Sequence, residues 1–185
     1  MGIDCAYPDG IGEILIPEDM ISERVRELGR QISDDYQGKS LVLVGVLKGS
    51  FMFLADLIRN ISVPHTIDFV AISSYGASTE SSGTVTIEKD LSHDVEGKDV
   101  LIVEDIVDTG LTLKLSNITK NLIDRKAASV RICSLLDKPS RRQVEVYVDY
   151  VGFEIEDHFV TGYGLDFDGL YRNLPFICTL SREHC

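Results

Sequence analysis

Residues 100–113 read VLIVEDIVDTGLTL: an apolar run, two adjacent carboxylates, and then Asp108-Thr109-Gly110. An apolar run without alternation is a strand buried on both faces, which a parallel sheet covered by helices provides. The spacing predicts that this strand emerges at Glu104 and Asp105. It should then turn through 106–110 into a helix of about 15 residues starting at Gly110. In open α/β sheets, ligands bind at the carboxyl ends of the strands. Successive N–H groups at a helix start, hydroxyls at Thr109 and Thr112, and a glycine allowing close approach make a phosphate cradle. Carboxylates beside a phosphate repel it, unless they face sugar hydroxyls or hold Mg²⁺, which takes oxygen ligands. The stretch therefore points to a ligand with a phosphate at one end and a ribose diol beside it. The plainer alternative is an ordinary strand–turn–helix, with Asp108 as a helix N-cap and solvated acids before it.

Outward from this stretch, apolar runs alternate with amphipathic ones, the pattern of an α/β fold with a mainly parallel sheet flanked by helices. Towards the N-terminus, Ile21, Val25, Leu28 and Ile32 recur at helical spacing after Pro17. LVLVGVL at 41–47 is a buried strand, 50–61 a helix from Ser50, and TIDFVAIS at 66–73 a strand. Residues 74–83, SYGASTESSG, form a loop or flexible hairpin, and TVTIEKD at 84–90 is its returning antiparallel strand. Towards the C-terminus, strands are expected over 128–138 and 144–155. Short strands and loops follow, ending in FICTL at 176–180. No repeat or linker interrupts the chain. Residues 1–185 are expected to form one domain, with a small lobe from about 1–16 and 155–185.

Composition narrows the function. Its 185 residues, 44% hydrophobic and 26% charged, exclude a disordered chain, a collagen-like repeat and a coiled coil. No apolar run approaches the roughly 18 residues of a membrane span. The beginning, MGIDCAYPDG, has neither the basic nor the apolar region of a secretory signal, and Ala6 argues against N-myristoylation. Neither a membrane nor nucleic acid is an expected partner. Net charge is -12, and the densest basic cluster is Lys138 with Arg141 and Arg142, too few cations for a nucleic-acid groove. Cys5, Cys133, Cys178 and Cys185 match no metal-binding spacing and read as reduced thiols of a cytoplasmic protein, Cys133 in the core.

IVEDIVDTGLT resembles the phosphoribosyl diphosphate (PRPP) motif of type I phosphoribosyltransferases. From about Ile14 to Leu180, four motifs in the family's order make the chain similar to its 6-oxopurine branch, the hypoxanthine-guanine phosphoribosyltransferases of short bacterial or protozoan form. The resemblance implies a type I phosphoribosyltransferase fold with a hood lobe and a flexible lid hairpin. It also implies Mg²⁺-dependent purine salvage: hypoxanthine and/or guanine plus PRPP give IMP and/or GMP and pyrophosphate through an oxocarbenium-like transition state.

Residue roles follow from the same resemblance. Glu104 and Asp105 match the pair that engages the ribose hydroxyls and Mg²⁺, and Asp108 matches the acid or base at purine N7. Asp108, Thr109, Gly110, Leu111 and Thr112 match the 5′-phosphate cradle. Within LKGS at 47–50, Lys48 and Gly49 match the pyrophosphate loop, with a cis peptide between Leu47 and Lys48. Ser74 and Tyr75 lead the lid. Lys138 matches the lysine on the exocyclic O6, which disfavours adenine because a 6-amino group presents donors to a donor. Phe159 matches the ring that stacks on the purine, and Val160 the backbone at its pyrimidine edge. Asp166 matches a ligand of a second Mg²⁺, and Arg172 an arginine on pyrophosphate oxygens. A homodimer or homotetramer is implied. Without the family, Lys138 reads as a solvated turn lysine and Phe159 as a core residue.

Rival readings are weaker. A response-regulator receiver places its acidic pair after the first strand. Neither GxxxxGK[ST], GxGxxG nor GxSxG occurs. A non-catalytic PRPP-binding regulator of the same fold would be expected to lose catalytic groups or gain a basic face. This chain keeps Asp108, Lys138, Asp166 and Arg172.

Overall fold

Pro17 separates the first two elements, β1 (Ile11–Ile16) and α1 (Glu18–Asp35). A proline has no amide hydrogen to lose at a helix start, and Glu18 and Asp19 suit the positive end of the helix dipole. The computed structural model describes residues 10–74, 85–139 and 147–180. The elements that follow are β2 (Leu41–Leu47), α2 (Phe51–Ile58), β3 (His65–Ser74), β4 (Val85–Lys89), β5 (Asp99–Val107) and α3 (Thr109–Asp124). β6 (Ser129–Asp137), β7 (Tyr150–Glu154), β8 (Val160–Thr161) and β9 (Ile177–Leu180) complete the chain.

Six strands form one sheet in the order β4-β3-β2-β5-β6-β7, parallel throughout except for β4 at its edge. Both faces are covered, which explains the continuous apolar run of β2. Leu41 and Leu43 pack with the α1 and α2 residues Val25, Leu28, Phe53 and Leu57. Val42, Val44 and Val46 pack on the other side with Leu115, Ile118 and Leu122 of α3. A second, three-stranded antiparallel sheet runs β1-β9-β8 and joins the two ends of the chain.

Three elements differ most from the sequence expectation. α2 starts at Phe51 and stops at Ile58; at its start, Ser50 turns its hydroxyl back to the Val46 carbonyl, 2.7 Å away, and makes no side-chain cap. β5 continues past the acidic pair to Val107, since Glu104, Ile106 and Val107 still pair with Ser134, Leu136 and Asp137 of β6. The strand expected over 144–155 is reduced to Tyr150–Glu154. Within that expected span, Tyr147–Asp149 is not strand, and residues 144–146 lie outside those described. Cys133 is in the core as expected, and burial pushes its thiol pKa up. Cys178 is also buried, while Cys5 and Cys185 lie outside the described residues.

One buried carboxylate fastens the sheet edge. Asp68 of β3 is 6% exposed. It accepts hydrogen bonds from the amides of Phe69 (2.8 Å), Ser92 (2.7 Å) and His93 (3.2 Å), and from Lys89 Nζ at 3.4 Å. Burial pushes its pKa up, but the Phe69 and Ser92 amides and Lys89 outweigh that and hold it down to about 2. Asp68→Ala leaves these donors without their acceptor and should lower unfolding free energy by about 2–3 kcal/mol at neutral pH. Because the folded pKa is depressed, this contribution is complete above the unfolded value and is lost as pH falls from about 4 towards 2. Denaturant titrations of both proteins at several pH values should show the gap closing over that window.

Candidate active site

The carboxyl ends of β2, β5 and β6 meet the β8–β9 side of the smaller sheet. β2 ends at Leu47, whose peptide bond to Lys48 is cis, as the resemblance implied. Lys48 is exposed, and Gly49 is enclosed on two sides. A Cβ added at Gly49 would lie 1.6 Å from Asp105 Oδ2. A Cβ added at Gly164 (φ +101°) would lie 2.1 Å from the Gly49 carbonyl oxygen. Both positions need glycine because chain and carboxylate approach too closely for any side chain.

Glu104 and Asp105 lie within β5 and not beyond its end; Glu104 is 1% exposed. The two carboxyls share a hydrogen bond. Burial raises the Asp105 pKa to about 6, against the opposing pull of its own and the Ile106 amides, the Arg172 charge and Glu104. Asp108 is half-buried at the joint between β5 and α3. Thr109, Gly110, Leu111 and Thr112 form the first turn of α3, one residue earlier than expected, and only their backbone is described.

Lys138 follows β6, and its amide donates to the Val107 carbonyl at 3.0 Å, tying the ends of β5 and β6 together. The plain sequence reading of Lys138 as a solvated turn lysine is overturned, since it is 6% exposed. Its Nζ donates to the His158 carbonyl at 2.5 Å and lies 3.8 Å from Asp157 Oδ1. Sequence reasoning did not single out Asp157 or His158, because they stand in no motif. Phe159 is the converse. It is 58% exposed, not core, and meets Phe167 edge to face at 5.7 Å between ring centroids. Val160 is buried at the start of β8.

Arg172 joins this group from the loop before β9. Its Nη2 pairs with Asp166 Oδ1 at 2.5 Å, and its Nη1 donates to the Gly164 carbonyl at 2.5 Å. Asp166 also accepts from the Gly169 amide at 2.8 Å. Among the described residues, no three His, Cys, Asp or Glu side chains converge as a ready metal cluster. Mg²⁺ does not need one, because it is commonly bound by one or two carboxylates together with substrate phosphates and water. Asp105 against the bare Gly49 backbone, and Asp166 beside Arg172, are hard oxygen donors that fit such an ion. Ser74 ends β3, with only its backbone described, and Tyr75 lies outside the described residues. A cavity of about 500 Å³ lined by Leu115, Thr119, Ile123, Val130 and Ile132 lies against the first half of β6, away from these groups.

Comparison with known proteins places the whole chain. The phosphoribosyl transferase domain model matches residues 17–168. The hypoxanthine phosphoribosyltransferase of Salmonella typhimurium is 53% identical over 167 residues, covering 89% of this chain and 93% of that protein. The hypoxanthine-guanine phosphoribosyltransferase of Staphylococcus aureus strain Mu50 is 54% identical over 171 residues, covering 92% and 94%. A crystal structure of a hypoxanthine phosphoribosyltransferase from Staphylococcus aureus superposes with TM-score 0.92 at 50% identity, covering 99% of this chain and 98% of that one. These likenesses show that the chain belongs to the phosphoribosyltransferase family, in its hypoxanthine and hypoxanthine-guanine branch.

Proposed function

We propose that this protein transfers the 5-phosphoribosyl group of PRPP to hypoxanthine and/or guanine, forming IMP and/or GMP and releasing pyrophosphate, as a cytoplasmic purine-salvage enzyme. The carrying observation is the pair at the base-binding end: a buried lysine ammonium at a strand end and an exposed phenylalanine ring on the facing turn. A core would bury the ring and expose the ammonium. A 6-oxopurine gives each a reason to be as it is. Lys138 donates to O6, the Phe159 ring covers the base, and the Val160 backbone meets its pyrimidine edge.

The C1′–oxygen bond to the diphosphate breaks, a purine ring nitrogen bonds to C1′, and the purine gives up one proton. Asp108 stands where β5 hands over to α3 and serves proton exchange at N7. The α3 N-terminus from Thr109 to Thr112 receives the 5′-phosphate. Lys48, the Gly49 backbone and Arg172 hold the departing pyrophosphate, where a guanidinium fork matches paired oxygens. Glu104 and Asp105 engage the ribose hydroxyls. Mg²⁺ would be held by Glu104, Asp105 and Asp166 and would supply charge neutralisation on the diphosphate. No helix among the described residues is long and apolar enough to cross a membrane. A homodimer or homotetramer is part of the proposal. Phe51 on α2 is 39% exposed and available to such a contact, which light scattering would read.

Purified protein given PRPP and Mg²⁺ should form nucleotide from one or more 6-oxopurines and none from adenine, as followed by chromatography. Mg²⁺-dependent PRPP binding with no product from any base would instead favour the regulator reading. Asp108→Asn should cut turnover roughly 100-fold or more while PRPP binding, measured by calorimetry, stays near wild type. Gly49→Ala forces a methyl group onto the Asp105 carboxylate. Steady-state kinetics should show PRPP turnover efficiency falling by at least about tenfold, a loss of roughly 1.4 kcal/mol.

A further inference from the structure

Tyr163 stands between two glycines in an unusual backbone stretch. Gly162, Tyr163 and Gly164 have φ of 99°, 48° and 101°, a left-handed run in which only the central residue has a side chain. That side chain is 5% exposed, and its hydroxyl donates a 2.6 Å hydrogen bond to Asp56 Oδ2 of α2. Burial and the nearby Asp56 carboxylate push the phenol pKa up, so it keeps its proton and remains a donor.

The two ends of this bond belong to the two halves of the diphosphate-facing site. α2 starts at Phe51, directly after the Leu47–Ser50 loop, so Asp56 moves with Lys48 and Gly49. Tyr163 is adjacent to Gly164, whose backbone presses on the Gly49 carbonyl and whose own carbonyl accepts from Arg172 Nη1. The Tyr163 amide donates to the Leu174 carbonyl and the Gly164 amide to the Arg172 carbonyl, both at 2.9 Å. The turn is therefore stitched to the segment that carries Arg172 on one side and, through the Tyr163 hydroxyl, hydrogen-bonded to α2 on the other. Core packing alone accounts for the aromatic ring but not for the hydroxyl, which is fixed to a carboxylate on another element.

We propose that Tyr163 and Asp56 are positioning residues. Their hydrogen bond sets the spacing between the Lys48–Gly49 loop and Arg172, and so tunes affinity for the diphosphate of PRPP without touching it. This deepens the proposed function and rests on it for the identity of the ligand.

Tyr163→Phe keeps the ring and removes the bond. It should raise KM for PRPP and Kd for Mg²⁺-pyrophosphate about five- to tenfold, leaving kcat and KM for hypoxanthine within about twofold. Asp56→Asn retains an acceptor oxygen and should stay near wild type. Asp56→Ala should reproduce Tyr163→Phe, and the double variant Tyr163→Phe/Asp56→Ala should be no worse than either. Amide hydrogen exchange at Tyr163 and Gly164, measured without substrate, should quicken in Tyr163→Phe. Unchanged pyrophosphate affinity and exchange would overturn the proposal. So would a uniform loss across both substrates and thermal stability, the mark of a merely structural contact. If the wild-type protein makes no nucleotide from any purine, the proposed function fails on that result. Pyrophosphate affinity and amide exchange of the variants would still decide the role of this bond.

Discussion

Everything about this site turns on an absence of atoms at Gly49. Its α-carbon rests against the Asp105 carboxylate, and its carbonyl oxygen is overlaid by the Gly164 backbone. Three segments far apart in sequence meet there: the loop after β2, the middle of β5, and the turn after β8. Close packing leaves no slack at such a junction, so a shift in one segment must be transmitted to the others. The loop that would face pyrophosphate, the acid that would face ribose and the arginine bound to the Gly164 carbonyl are thus one mechanical unit.

The electrostatics follow from the same crowding. A chain of net charge -12 is a poor host for a polyanion in bulk, and the proposed site would rely on Lys48, Lys138 and Arg172. Each is managed differently. Lys48 is exposed, Lys138 is buried on a carbonyl with Asp157 nearby, and Arg172 is neutralised by Asp166. Asp105, raised to about 6 by burial, holds its negative charge less firmly near neutral pH than an ordinary carboxylate.

Much of this was legible in the sequence, for identifiable reasons. The central strand is visible because burial on both faces forces an unbroken apolar run. The helix after Pro17 is visible because four apolar residues repeat on one face. What escaped were matters of partnership. That β5 carries Glu104 and Asp105 inside the sheet depends on β6 supplying partners as far as Asp137. That Lys138 is buried and Phe159 exposed reverses what residue type alone suggests. Tyr163 and Asp56 are 107 residues apart and share no motif, so no spacing rule joins them.

The small sheet has a consequence for how the protein comes into being. β1 is made early, yet its hydrogen-bonding partner is β9, with Ile14 opposite Cys178 and Ile16 opposite Ile177. While the chain is being synthesised, β1 has no sheet to join, whereas β2, β3 and β5 can already begin to associate. The part of the site built on β2 and β5 can therefore form before the part bearing Phe159, Val160 and Arg172. Pairing of β9 with β1 must therefore wait until the segment carrying Ile177–Leu180 has been made.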